Sequence, residues 1–135
     1  MTLIQRFRYF FLLSTFLAIT LLNACQKEEG VGGTAKILGK ILIQEYNGFG
    51  EKIKEYYAPQ HDIFIIYGDN QTFDDVTSTH FNGAFRFSDL YPGEYTLYTY
   101  AGCNDCEIPT QPVFQTVEIL RNGERIEIPP WVIIK

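Results

Sequence analysis

Phe81–Leu97 reads FNGAFRFSDLYPGEYTL, and its turns and its alternation decide the fold. Asn82-Gly83 suits a type I′ hairpin turn, in which both central residues need positive φ. Pro92-Gly93 suits a type II turn, where proline presets the first corner and glycine takes positive φ at the second. Between them Phe85 and Phe87 fall on one face of a strand and Arg86 on the other, the two-residue period of a half-buried strand. After the second turn Tyr95 and Leu97 return to the same interior, and Leu90 closes its end.

The same grammar extends outward from this run. Ala35–Tyr46 alternates around Ile37, Ile41 and Ile43 until Asn47-Gly48-Phe49-Gly50 interrupts it. Ile63–Tyr67 is a compact apolar run, long enough for a buried strand and too short for a helix. Residues 76–80, 83–88, 95–101, 114–120, 124–128 and 131–134 continue the series, and Arg121-Asn122-Gly123-Glu124 predicts a hairpin between the strands on either side of it. Residues 51–60, EKIKEYYAPQ, stay open between a short helix, an edge strand and an inserted loop. The expectation is an all-β chain: a single antiparallel β-sandwich of about seven strands around one core.

The N-terminus has a different character. Arg6 and Arg8 precede the uncharged run Tyr9–Leu22, which is too short for a comfortable membrane span and matches the apolar region of an export signal. Leu22-Asn23-Ala24-Cys25 resembles the lipobox of bacterial lipoproteins. That resemblance implies cleavage before Cys25, diacylglycerol on its thiol and a fatty acyl group, such as palmitate, on its new amino group. Two or more chains hold stably in a bilayer where one holds only marginally. Gln26-Lys27-Glu28-Glu29 is similar to the export tag of Bacteroidota surface lipoproteins, which implies the outer face of the outer membrane. The expected organisation is a lipoprotein signal peptide at 1–24, a lipidated N-terminus and flexible tether at 25–34, and the sandwich at 35–135. Gly30–Thr34, GVGGT, has the composition of the tether.

Thr79–Leu97 as a whole, with its N-G turn, aromatic strand and L-x-P-G-x-Y ending, resembles the carboxypeptidase regulatory-like domains. These belong to the transthyretin-like, or prealbumin-like, β-sandwiches. The resemblance implies Gly39–Ile43 as the first strand, Asp62–Ile66 as the second, and an accessory rather than catalytic role. The sequence departs from that pattern at His80, where an acidic residue is usual, and in the long link Asn47–His61, which suggests an added binding or packing feature.

Composition narrows function further. The formal net charge is −5, and removing residues 1–24 takes away two arginines and no acid, so no basic face for nucleic acid is expected. No G-x-S-x-G or H-E-x-x-H motif is present, and no enzyme activity and no cofactor are expected. Cys103-Asn104-Asp105-Cys106 is expected to close a disulfide in an oxidising compartment; free or metal-binding thiols and redox chemistry are the alternatives. A zinc site would have to recruit His61 and His80, and Asp69–Asp75 lacks the spacing of an EF-hand loop, so no metal is expected. Tyr56, Tyr57, Tyr91, Tyr98, Tyr100 and Trp131 are the candidate ligand contacts, because flat rings that escape a core stack on sugars or anchor interfaces. Tyr98 and Tyr100 share the face opposite Tyr95 and Leu97. The functional expectation is a non-catalytic, lipid-anchored outer-membrane module that binds an envelope protein or a glycan. Its rivals are a structural accessory of an outer-membrane assembly and a redox accessory that uses Cys103 and Cys106.

Overall fold

The computed structural model describes residues 28–102 and 107–135. The signal peptide, Cys25, and the Cys103–Cys106 pair lie outside them. Nine strands run in chain order: β1 (Val31–Tyr46), β2 (Lys52–Tyr57), β3 (Asp62–Tyr67), β4 (Asp75–Ser78), β5 (Ala84–Leu90), β6 (Gly93–Gly102), β7 (Thr110–Ile119), β8 (Arg125–Glu127) and β9 (Trp131–Ile134). Among the described residues there is no helix. Five strands form one sheet around β1, and the other four form a second in the order β4-β3-β6-β7.

The long strand β1 organises the first sheet. The Ile41 amide donates to the Gly83 carbonyl, and the Ile41 carbonyl accepts from the Ala58 amide. A strand residue points both groups to one edge, so β5 and β2 follow one another along that edge of β1. The opposite edge carries β8 beside Lys36–Leu38 and β9 beside Ile41–Gln44, both parallel to β1. Pro129 and Pro130, which lack amide donors, separate β8 from β9. The sandwich is therefore antiparallel except at these two pairings, which no hairpin signal in the sequence announces.

Alternation places the core. Ile37, Ile41 and Ile43 of β1, Phe85 and Phe87 of β5, and Ile133 of β9 face Ile63 and Ile65 of β3, Tyr95 and Leu97 of β6, and Val117 and Ile119 of β7; all are buried. Each fully buried Ile or Leu contributes about 1.5–3 kcal/mol. Leu90 seals one end, as the L-x-P-G-x-Y pattern implies. There the Tyr95 hydroxyl donates to the Tyr91 carbonyl at 2.7 Å and accepts from the Gly30 amide at 3.0 Å. Burial, opposed by the Gly30 amide and reinforced by Glu29, raises the Tyr95 phenol above its ordinary pKa.

Several local expectations change. Strand β1 starts at Val31 rather than near Ala35 and pairs Val31 with Leu90, so residues 31–34 belong to a strand and not to a tether. Residues 52–57 form an edge strand, β2, joined to β1 by a hairpin in which Asn47 Oδ1 accepts from the amides of Phe49 and Glu51. The turn at Asn82-Gly83 is not type I′: Gly83 alone has positive φ, 74°, and the turn carries the chain from β4 in one sheet to β5 in the other. Residues 121–124 likewise cross between sheets instead of making a hairpin. At Pro92-Gly93 the glycine sits at φ 151° as the first residue of β6, far from the φ near +80° of a type II turn; a Cβ there would collide with the Glu29 side chain. Glycine answers a close approach at this corner as well as a dihedral.

Candidate binding site

The odd residues of β3, β6 and β7 face the core, so the even ones face outward, and on this sheet many of those are aromatic. Phe64 pairs with Tyr98 across β3 and β6, and Tyr98 with Phe114 across β6 and β7. Three adjacent strands thus bring three rings into one row, with Tyr100 beside them. Phe64 and Tyr98 stack at 4.8 Å with planes 13° apart. Tyr100 stands almost perpendicular to both, at 83° and 85°, and Phe114 is tilted by 41° to Tyr98 at 5.5 Å.

A loop supplies the wall. Residues 68–74 leave β3 and fold back because the Asp74 carboxylate accepts from the Tyr67 amide at 2.7 Å and from Asn70 Nδ2 at 2.8 Å, while the Asp74 amide donates to the Ile65 carbonyl. This brings Phe73 edge-on to Phe64 at 5.1 Å. The result is a shallow groove of about 350 Å3 lined by Ile66, Gln71, Thr72, Phe73, Tyr98, Tyr100, Pro112 and Phe114, at the small end of the range for ligand pockets. Phe64 and Tyr98 are half-buried, whereas Phe73, Tyr100 and Phe114 remain 48%, 47% and 60% exposed. Of the stacked pair, Tyr98 lines the groove; the other three rings are the more exposed. Burial, and then the neighbouring Tyr100, raise the Tyr98 phenol above its ordinary pKa. The Tyr98 hydroxyl therefore keeps its proton at neutral pH and can donate a hydrogen bond.

Among the described residues no charged side chain lines the groove. The four strands of this sheet carry Asp62, Asp75, Glu94 and Glu118 and not one lysine or arginine. An anionic ligand finds no counter-charge here. The groove offers aromatic faces, phenol hydroxyls, one amide and one threonine hydroxyl, which together suit an uncharged ligand with apolar faces and polar edges.

Of the six aromatic residues expected to contact ligand, the structure brings only Tyr98 and Tyr100 together. Tyr56 lies in β2 against the core, its hydroxyl donating to Glu45 at 2.8 Å and its ring 4.7 Å from Lys54 Nζ; that bond and burial raise its pKa. Tyr57 is on the outside of the five-stranded sheet, 5.1 Å from Lys40 Nζ. Tyr91 sits in the connection from β5 to β6 and lends its carbonyl to Tyr95. Trp131 packs against the core from β9. Phe64, Phe73 and Phe114 were missed. Phe64 and Phe114 were legible by parity, since each has the outward register of Tyr98, but Phe73 reaches the row only through its loop.

The His61 backbone is bonded to Thr79, the neighbour of His80, and its ring to Thr99. Its Nε2 lies 2.7 Å from Thr99 Oγ1, and Thr99 donates its own proton to the Asp62 carbonyl, so Nε2 must be the donor to Thr99. Burial, helped by Lys135 and opposed by Asp62, lowers the His61 pKa. Among the described residues no three His, Cys, Asp or Glu side chains are grouped to hold a metal ion.

No family model and no curated protein matches the chain. Among solved structures it is similar to a Pseudomonas aeruginosa protein provisionally described as carbohydrate binding, with a TM-score of 0.47 and 12% identity over 84% of this chain and 94% of that one. At that similarity nothing about the ligand transfers from one protein to the other.

Proposed function

We propose that this protein is a non-catalytic binding module of the carboxypeptidase regulatory-like kind, anchored in the outer membrane by lipid on Cys25, facing the cell exterior, and that its aromatic groove takes a neutral glycan. The observation that carries the ligand reading is the trio Phe73, Tyr100 and Phe114, exposed beside Tyr98 and flanked by Gln71 and Thr72. Sugars present just this pairing of C–H faces with hydroxyl edges, and stacking on rings uses the first while phenols, amides and hydroxyls take the second. The absence of basic side chains from the sheet favours neutral over acidic sugars.

The test is a glycan array probed with the detergent-solubilised full chain, followed by calorimetry with the best neutral oligosaccharide. Tyr100→Ala and Phe114→Ala should each weaken binding by about tenfold, equivalent to roughly 1.4 kcal/mol of lost aromatic contact, without lowering thermal stability. Binding that survives both substitutions overturns the site. A chain that binds no neutral glycan but co-purifies with an envelope protein only while Tyr100 and Phe114 are intact would show that the same groove serves a protein partner.

A further inference from the structure

The basic residues are segregated to the other sheet. From Glu55 to Leu120 the chain contains a single lysine or arginine, Arg86, and Arg86 lies in β5. The five-stranded sheet holds Lys36 and Lys40 in β1, Lys52 and Lys54 in β2, Arg86, and Arg125 in β8. Four of these gather on the outer face of its N-terminal half. In β1 Ile37, Gly39 and Ile41 are buried, so Lys36, Leu38 and Lys40 face outward. Lys36 is opposite Arg125, and Leu38 is opposite Arg86 on one edge and Glu127 on the other. Arg86 therefore sits diagonally between Lys36 and Lys40, within the roughly 7–8 Å of diagonal strand neighbours.

Little on the protein neutralises this cluster. Among the described residues its one carboxylate partner is Glu127, 3.8 Å from Arg125 and mostly exposed; Lys40 rests over the Tyr57 ring instead. Like charges directly across a ladder are unfavourable, so the Lys36–Arg125 pair costs stability unless an anion lies against it. Two observations name the anion. The face is open on the solvent side of a sheet, which suits a surface rather than a small ion in a pocket. It also lies in the half of β1 nearer its N-terminal end, the end at which Glu29 is set against Gly68 and Gly93 and from which the chain leads back to Cys25 through residues 26–28, a link of at most roughly 14 Å.

We infer that the outer face of the five-stranded sheet, through Lys36, Lys40, Arg86 and Arg125, docks on the anionic phosphate headgroups of the bilayer that holds the N-terminus, and so turns the aromatic groove of the opposite sheet away from the membrane. The acidic four-stranded sheet is repelled by the same surface, which makes the orientation one-sided. Each lysine or arginine near an anionic surface adds roughly fivefold to association, enough for four of them to set an orientation on a chain already tethered.

The experiment reconstitutes the full chain in vesicles of phosphatidylcholine alone and of phosphatidylcholine with phosphatidylglycerol, and follows modification of each lysine by an amine-reactive ester with mass spectrometry. Lys36 and Lys40 should react several-fold more slowly in the anionic vesicles, Lys52 and Lys54 equally in both, and the protection should vanish near 1 M salt, where the screening length is about 3 Å. Arg86→Gln, a mild change on the solvent side, should reduce the protection of Lys40, and Lys36→Glu with Arg86→Glu should abolish it. Equal reactivity of Lys36 and Lys40 in the two vesicle types overturns the docking face while leaving the anchor and the glycan site standing. A chain that fails to float with either vesicle overturns the anchor and this inference together.

Discussion

At the scale of single residues, Tyr95 shows how an apolar position gains a polar duty. Its ring is fully buried, and its hydroxyl holds the Gly30 amide, 65 residues away along the chain, beside the Tyr91 carbonyl. Tyr95→Phe keeps the ring and leaves the buried Gly30 amide without its acceptor, so it should cost about 1–3 kcal/mol in urea unfolding and free the start of β1 for faster amide exchange. His61 is the residue whose protonation folding opposes. Its pKa is lowered in the fold, so its contribution is present above the unfolded value of about 6.5 and is lost as pH falls through the folded value. Between about pH 7 and 5 the Tm of the natural protein should drop more than that of His61→Gln, and parallel curves would remove His61 from the acid sensitivity.

At the scale of elements, the decisive feature is that half of the connections between the nine strands change sheet. The bends at 58–61, 79–83, 91–92 and 120–124 each carry the chain across the sandwich, and Thr79 braces two of them. Its amide donates to the His61 carbonyl, and its hydroxyl accepts from the His61 amide and donates to the Ala58 carbonyl. Turn chemistry in the sequence marks where the chain bends, but an Asn-Gly or Asn-Gly-Glu bend looks the same whether the next strand pairs with the last or leaves for the other sheet. The loop at 68–74 belongs to this scale as well, since one carboxylate holds its shape. Asp74→Ala should leave the Tm within a few degrees, because the loop contributes little to the core, yet weaken ligand binding several-fold by releasing Phe73 from Phe64. Unchanged affinity would show that the wall plays no part in recognition.

At the scale of the whole molecule, two faces of opposite chemistry sit back to back: an uncharged aromatic groove on an acidic sheet and a basic cluster on the other. The tether that would connect them to a bilayer is short. Glu29 already lies against Gly68 and Gly93, so the globule begins within a few residues of Cys25, the proposed lipidation position. Cys25→Ser should move the protein from the membrane fraction to the soluble one; a protein that still floats with membranes refutes the lipid anchor. Close tethering makes sidedness matter, because a long flexible linker would let either face turn to the membrane.

Strand identity, the inward residues and the all-β class were legible in the sequence, because a two-residue period is a local property and Phe85, Phe87, Tyr95 and Leu97 obey it. The outward positions of Tyr98 and Tyr100 followed from the same rule. What only the tertiary structure decided was adjacency: which strands lie side by side, that β8 and β9 run parallel to β1, and that Phe64, Tyr98 and Phe114, widely separated along the chain, stand in one row. Alternation states which face a ring occupies and contains nothing about which strand lies beside it. That choice is made by long-range pairing, and the aromatic groove exists only once it has been made.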